Sequence, residues 1–351
     1  MTTTLDERLV ESATAALELY GVHLGRTLGL YDALVDHGPL TAAGLAAAAS
    51  IDARYAREWL EQQAVAGFLT VDDVRTAAEE RRYAVPGEHR PALVDVEAGA
   101  HVAPIASMVA GIGGVLADVV EAYRTGGGVP YARYGAEFRR GQGGINRPAF
   151  SHDLTGSWLP AVPDVHERLS RPGARVADLG CGLGFSTIAL ARAYPQAEVV
   201  GIDADAPSVE EARELARAAG VGAHFAVADA ADVVARAPFD VVLLMESLHD
   251  LARPVEVLRA VRKSLSSDGV LVVVDERVAD EFAAPGDPLE RMMYGWSITH
   301  CLPSQLAEQP SAAIGTVLRA PQVAELVREA GFDGCETTEV DAGFFRVYVG
   351  R

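Results

Sequence analysis

The chain has 351 residues, 49% hydrophobic and 23% charged, enough for two folded domains with real apolar cores. Its formal charge of −19, with Lys263 the only lysine, excludes the clustered cations that a nucleic-acid or anionic-membrane partner needs. Three cysteines, at 181, 301 and 335, make no CxxC pair and no zinc-ligand spacing, so reduced thiols and no metal are expected.

The chain opens on no basic-then-apolar leader, and no apolar run is expected to reach spanning length, so a cytoplasmic location is expected. Residues 8–37 carry helical periodicity that Gly38-Pro39 breaks. A short helix is predicted over 40–47, and a second over 52–66 with Ser50 or Asp52 as its N-cap. Phe68–Val71 and Arg82–Val85 read as short extended runs. Helices followed by a two-stranded wing describe a winged helix within a first domain, 1–95. Helix 52–66 offers Arg54 and Arg57 against Asp52, Glu58 and Glu61, a balance that cannot neutralise several phosphates.

A middle segment, 96–165, holds an apolar helical stretch from Val102 to Tyr123. Gly111, Gly113 and Gly114 within it allow close packing or a break. A glycine turn, Tyr134-Gly135, a polar loop and Phe150–Pro160 complete it. From 174 onward, within a domain of 166–351, strands alternate with helices. The strands are predicted at 175–179, 198–202, 223–227, 239–245, 270–274 and 344–349. The helices lie at 185–193, 207–219, 253–265 and 317–330. This alternation implies an α/β domain with a mostly parallel sheet whose strands' carboxyl ends hold the ligand site.

The sharpest signal is Val176-Ala-Asp-Leu-Gly-Cys-Gly-Leu-Gly184, followed by Ile202-Asp203 at the end of the next apolar run. Gly180, Gly182 and Gly184 let the backbone pass close to a ligand, with Cys181 between them. An acid about 20 residues on is where a βαβ nucleotide site places its ribose partner. The spacing is G-x-G-x-G, with Phe185 where a dinucleotide site has its third glycine. Asp178 repels a pyrophosphate but suits an ammonium group. Both departures favour S-adenosylmethionine over NAD.

On these residues, 174–245 resembles the nucleotide half of class I S-adenosylmethionine-dependent methyltransferases. The resemblance implies a Rossmann-like, mostly parallel seven-stranded sheet over 166–351. It implies a glycine turn lying against the methionine part of the cofactor, and Asp203, with Ala204, at the ribose. Asp229 and Ala230, in Phe225-Ala-Val-Ala-Asp-Ala230, match the adenine-facing acid and its neighbour. Met245 and Glu246 end the fourth strand close to the expected methyl position. The winged helix and the arginine-threonine-glycine turn resemble those of small-molecule O-methyltransferases, where the N-terminal domain dimerises. A homodimer follows from that resemblance, with 96–165 contributing to the substrate pocket.

Leu248-His249-Asp250 matches the base motif of that family, although the following tryptophan is Leu251 here. Histidine suits removal of a hydroxyl proton at neutral pH. The family's histidine-orienting carboxylate falls on Asp275 or Glu276. The long insertion 290–315, with His300 as a second acid–base or substrate-orienting residue and Cys301 as pocket lining, resembles a group of actinobacterial winged-helix methyltransferases. The expected function is methyl transfer to a small, partly apolar molecule, with oxygen as the acceptor and His249 as general base. Nitrogen or carbon acceptors with His249 only shaping the pocket, non-methylating use of the cofactor, and a cofactor-sensing regulator are the rival readings.

Overall fold

The computed structural model describes residues 4–351. The chain divides into two units, one of Met1–Gly113 with Ala136–Pro148, the other of Gly114–Gly135 with Ala149–Arg351.

In the first unit Thr4 and Glu7 form a capping box that opens helix α1 (Leu5–Thr27). The periodicity of 8–37 is not one helix: Gly29, at φ +65, turns the chain into α2 (Leu30–His37). Thr41 caps α3 (Ala42–Ala49), and Ser50 ends it in the left-handed region at φ +55. Asp52 therefore caps α4 (Ala53–Val65), accepting from Arg54 N at 2.9 Å. Strands β1 (Thr70–Val71) and β2 (Tyr83–Ala84) pair antiparallel as the wing. Leu30, Tyr31, Leu34, Leu45, Trp59 and Leu60 fill the core, where Trp59 Nε1 donates to Gly21 O at 2.8 Å.

A short α5 (Arg90–Leu93) precedes α6 (Ile105–Thr125), which runs through its glycines without a break. Gly113 faces the Tyr20 hydroxyl, where a Cβ would stand 3.0 Å away, so close packing is its role. Contrary to the expectation for this stretch, α6 is long and apolar enough to cross a membrane by length and composition, with a mean hydropathy of 1.6 over its best window. The segment expected to be a polar loop is helix α7 (Gly135–Pro148), whose Gly141 fits against Met108 and Pro104. Its glycines lower helix propensity and hid it from the sequence. Pro148 lacks the N–H that would continue the α-helical ladder, and residues 149–158 wind on as a π-helix.

The second unit carries α8 (Pro163–Leu169), β3 (Arg175–Leu179), α9 (Phe185–Ala193), β4 (Glu198–Asp203), α10 (Ala206–Ala219) and β5 (His224–Val227). Then come β6 (Phe239–Met245), α11 (Pro254–Ser264), β7 (Leu265–Glu276), α12 (Pro288–Trp296), α13 (Leu302–Leu306), α14 (Ala320–Glu329), β8 (Cys335–Thr337) and β9 (Phe345–Gly350). The seven-stranded sheet has the order β5-β4-β3-β6-β7-β9-β8. Only the pairings of β9 are antiparallel. Successive residues of β6 serve opposite faces: Val241, Leu243 and Met245 enter one core, Val242 and Leu244 the other. The chain winds outward from β3 to β5 and returns to β6 on the other side of β3. That reversal opens a crevice beyond the carboxyl ends of β3 and β6.

Candidate active site

The β3 end of the crevice is a backbone cradle. Gly180, Gly182 and Gly184 have φ of +70, +51 and +77, a region that side chains disfavour. A Cβ on Gly180 would meet Ser247, and one on Gly184 would meet the Phe225 ring, so these two glycines serve packing. A Cβ on Gly182 would meet nothing within 4 Å, so the space over this glycine is open. Asp203, at the tip of β4, accepts from Gly182 N and from Asp205 N, each at 2.8 Å. Burial raises its pKa, and the two amide hydrogen bonds oppose the rise.

Asp178 is fully buried at the end of β3. Its Oδ2 accepts from the Ser186 and Thr187 hydroxyls of α9, both at 2.6 Å. Its Oδ1 is buried without a hydrogen-bond partner. Burial pushes Asp178 up to about 6 against the two hydroxyl bonds. An orphaned carboxylate oxygen beneath a glycine cradle fits an ammonium-bearing ligand.

The β6 end carries the titratable groups. Glu246 follows Met245 at φ +50, a strained conformation for a non-glycine residue that turns the chain across the crevice. Ser247 Oγ anchors this turn on Leu179 O at 3.0 Å. His249 is buried, its Nδ1 2.6 Å from Asp275 Oδ1 and 3.3 Å from Glu276 Oε2, its Nε2 3.4 Å from Asp250 Oδ1. Burial alone would lower the imidazole pKa, but Asp275, Glu276 and Asp250 outweigh it and hold it well above the usual histidine range. Burial also raises Asp275, but the imidazole it bonds prevails and Asp275 stays below the usual range. Burial, with Asp275 as a like-charged neighbour, drives Glu276 well above its own range against the pull of His249. The two carboxyl groups are thus pushed in opposite directions around one imidazole.

The insertion closes over this end. Residues 297–301 form a π-turn that buries His300 and Cys301. His300 packs edge-on against Tyr134, with ring centroids 4.6 Å apart, and against Tyr131 at 5.7 Å. Burial pushes His300 down to about 4, with Asp250 opposing and His249 adding to the fall, so its imidazole is neutral at physiological pH. Burial pushes Cys301 up to about 12, so without a bound ion it is a neutral thiol there. Gln305 is the residue that sequence reasoning missed. Fully buried, it donates through Nε2 to the His249 carbonyl and accepts from Gly315 N at 3.0 Å. No local pattern marks it, because its partners lie far away in sequence.

The structure thus gathers Asp178, Gly180, Cys181, Gly182, Gly184, Asp203 and Ala204 on the β3–β4 side, and Met245, Glu246, His249, Asp275, Glu276 and His300 on the β6–β7 side. Asp229 and Ala230 sit differently. Asp229 is exposed, caps the turn of 230–236 through Ala231 N, and pairs with Arg253 at 3.4 Å.

Residues 170–315 match the family model of a methyltransferase domain, and residues 15–94 match that of an Rv2258c-like winged HTH domain. The chain carries a methyltransferase domain behind a winged helix-turn-helix domain. The chain is similar to the ubiquinone biosynthesis O-methyltransferase of Xanthomonas campestris pv. campestris, 36% identical over 109 residues. That match covers 30% of this chain and 45% of the relative, so the chain spans just under half the length of the curated relatives it matches. The fold extends further. An O-methyltransferase family protein from Burkholderia thailandensis superposes with a TM-score of 0.71 at 16% identity, covering 100% of this chain and 98% of that one. Human N-acetylserotonin methyltransferase, solved with S-adenosylmethionine, gives 0.70 at 17%, covering 100% and 99%. The methyltransferase domain therefore has the fold of S-adenosylmethionine-dependent enzymes, as expected from the glycine turn.

Proposed function

We propose that this protein transfers the methyl group of S-adenosylmethionine to a hydroxyl of a small, partly apolar molecule, with His249 as the general base. The observation that carries the reading is the buried His249–Asp275 contact of 2.6 Å at the carboxyl end of β6, across the crevice mouth from the Gly182 cradle. The cofactor supplies a methyl group on a positively charged sulfur, already a good leaving group. The chain's residues then have two tasks, to orient the acceptor and to take its proton.

Asp178 Oδ1, the space over Gly182 and the Asp203 carboxylate suit the ammonium, the methionine backbone and the ribose hydroxyls respectively. On the acceptor side, Asp275 holds Nδ1, and His249 offers Nε2 to the hydroxyl once it has released the Nε2 proton that its carboxylate neighbours favour. The carboxylates around the ring stabilise the imidazolium that results. Gln305 holds the His249 backbone in place, and neutral His300 with Tyr134 offers an aromatic wall to an apolar acceptor.

The winged helix serves dimerisation in this reading, and the protein works in the cytoplasm. Helix α1 exposes Leu5, Leu9, Val10, Leu17 and Leu24, an apolar set that a second copy would cover. On α4, Arg54 pairs with Glu58 and Arg57 with Glu61 and Glu79, which supports a protein contact over a DNA one.

The test is calorimetric titration with S-adenosylmethionine, S-adenosylhomocysteine and NADH, followed by S-adenosylhomocysteine release with a panel of phenols and alcohols. Selective binding of the adenosyl compounds and turnover on a hydroxyl acceptor is the expected result. Turnover confined to amines or carbon acceptors would overturn the oxygen assignment. Light scattering should give twice the chain mass, and a monomer would remove the dimer from the reading.

A further inference from the structure

Two segments far apart in sequence bring three different donor atoms together. The turn after β6 supplies His249 and Asp250, and the π-turn of the insertion supplies Cys301. The imidazole nitrogen, the carboxylate oxygen and the thiol sulfur all lie within 4.8 Å of one another. His249 Nε2 and Asp250 Oδ1 are 3.4 Å apart. A charge-assisted hydrogen bond between such groups closes to about 2.7–2.9 Å, so the pair is not drawn together as one. The same separation is the edge, about 3.4 Å, of a tetrahedron whose nitrogen and oxygen corners lie about 2.1 Å from a central zinc ion.

The surroundings fit an ion as well. The other ring nitrogen, Nδ1, already donates to Asp275 at 2.6 Å, the carboxylate contact that metal-bound imidazoles almost always make. A 2.6 Å contact is too short to straddle a metal, so the neighbouring His249–Asp275–Glu276 group is a hydrogen-bonded support and not a second site. His300 Nδ1 stands 3.4 Å from Cys301 Sγ, a placement that supports a bound sulfur. His249 and Cys301 are buried while Asp250 is partly open, which gives an entering ion a path. Mixed imidazole, carboxylate and thiolate donors suit zinc or cobalt and not magnesium or calcium.

We propose that His249 Nε2, the Asp250 carboxylate and the Cys301 thiolate form a zinc-binding site with a fourth position left for water, and that its occupation silences methyl transfer. Binding forms one Zn–N, one Zn–O and one Zn–S bond, and the Cys301 thiol proton and the His249 Nε2 proton leave to solvent. No electron is transferred. The silencing rests on the reading above, because ion and acceptor would then compete for the same nitrogen. The binding itself does not. The cysteine spacing gave no hint of the site, because its ligands come from segments 51 residues apart, 250 to 301.

The experiment is titration of the purified, metal-stripped full chain with cobalt(II), followed by absorbance. A thiolate-to-cobalt charge-transfer band in the near ultraviolet, lost in Cys301→Ser and kept in Cys335→Ser, is expected. No band, or a band that survives Cys301→Ser, overturns the site. Competition with a chromophoric chelator should show zinc bound at least ~10-fold more weakly by Asp250→Asn, and unchanged affinity would remove Asp250 from the ligand set. S-adenosylhomocysteine release, measured with chelator and then with equimolar zinc, should fall to background on zinc addition. Undiminished release would overturn the silencing. Inactivity in chelator with every acceptor would count against the methyl-transfer reading alone, since the cobalt band still decides the site.

Discussion

Asp275 Oδ1 lies 2.6 Å from His249 Nδ1, a buried contact between the ends of two adjacent parallel strands, β6 and β7. This contact places a carboxylate on Nδ1, while Nε2 stands 3.4 Å from Asp250 Oδ1. Replacing His249 with Asn should lower turnover by roughly 10²–10⁴-fold, the usual worth of a positioned base. Cofactor affinity should stay within about twofold, because the Asp178–Asp203 side of the crevice is untouched. Asp275→Asn, which can favour the other tautomer, should lower turnover by ~10-fold or more. Steady-state kinetics paired with calorimetry would check both, and near-normal turnover in His249→Asn would sink the base assignment.

Asp178 sets a pH dependence. Its pKa stands at about 6 in the folded chain and 3.8 in the reference state, so the unfolded chain ionises first as pH rises. Stability should therefore fall between about pH 4 and pH 6 by at most about 3 kcal/mol and stay level above. Asp178→Asn should flatten this slope in urea unfolding. The ionised form is the one that attracts an ammonium. Calorimetric affinity for S-adenosylmethionine should accordingly be several-fold weaker at about pH 5 than at about pH 7.5 in the wild type, and weak at both in Asp178→Asn. A pH-independent wild-type affinity would detach Asp178 from the ligand.

The strand–turn units at the ends of β3 and β6 were legible in the sequence and the long-range contacts of the insertion were not, for a physical reason. Val176–Gly184 and Phe239–His249 are local strand–turn units whose geometry follows from neighbouring residues, so Asp178, Gly182, Asp203 and His249 could be placed from spacing. Asp275 and Glu276 could not be told apart, because both side chains reach the imidazole and only burial and distance separate them. Gln305 and Cys301 reach His249 through long-range folding of the chain, which no window of sequence records. Helix α7 was missed because its glycines obscure a helical pattern that tertiary contacts at Gly141 and Phe138 enforce. Asp229 follows the family pattern in order, and in the structure it also caps the turn of 230–236 and pairs with Arg253.

The insertion has its own fastening. Glu290, 3% exposed, pairs with Arg319, 11% exposed, at 2.6 Å, and the same guanidinium donates to Ala279 O and Glu281 O. Glu290→Met leaves a largely covered guanidinium with those carbonyls and the Tyr294 side chain and should cost roughly 3 kcal/mol in urea unfolding. Glu290→Met combined with Arg319→Met should recover most of that loss, because an apolar pair of similar volume removes the stranded charge. A double variant no more stable than the single one would mean that the carbonyl bonds of Arg319, and not the pair, hold the insertion.

Gly182 and Gly184 make opposite predictions from the same turn. Both have positive φ, so alanine at either costs about 1 kcal/mol in backbone strain. At Gly184 the new Cβ would also stand 2.7 Å from the Phe225 ring and 3.0 Å from Ala212 Cβ. That overpacking adds ~1–3 kcal/mol, and the loss should appear in thermal unfolding of the ligand-free protein. At Gly182 the Cβ meets no protein atom and projects into the crevice. Gly182→Ala should therefore unfold close to the wild type yet bind S-adenosylmethionine at least ~10-fold more weakly, since a methyl group there occupies ligand space. Thermal unfolding and calorimetry on the two variants separate the effects. Wild-type affinity in Gly182→Ala would mean that the ligand does not lie over this turn, and the cofactor site would have to be sought elsewhere along the crevice.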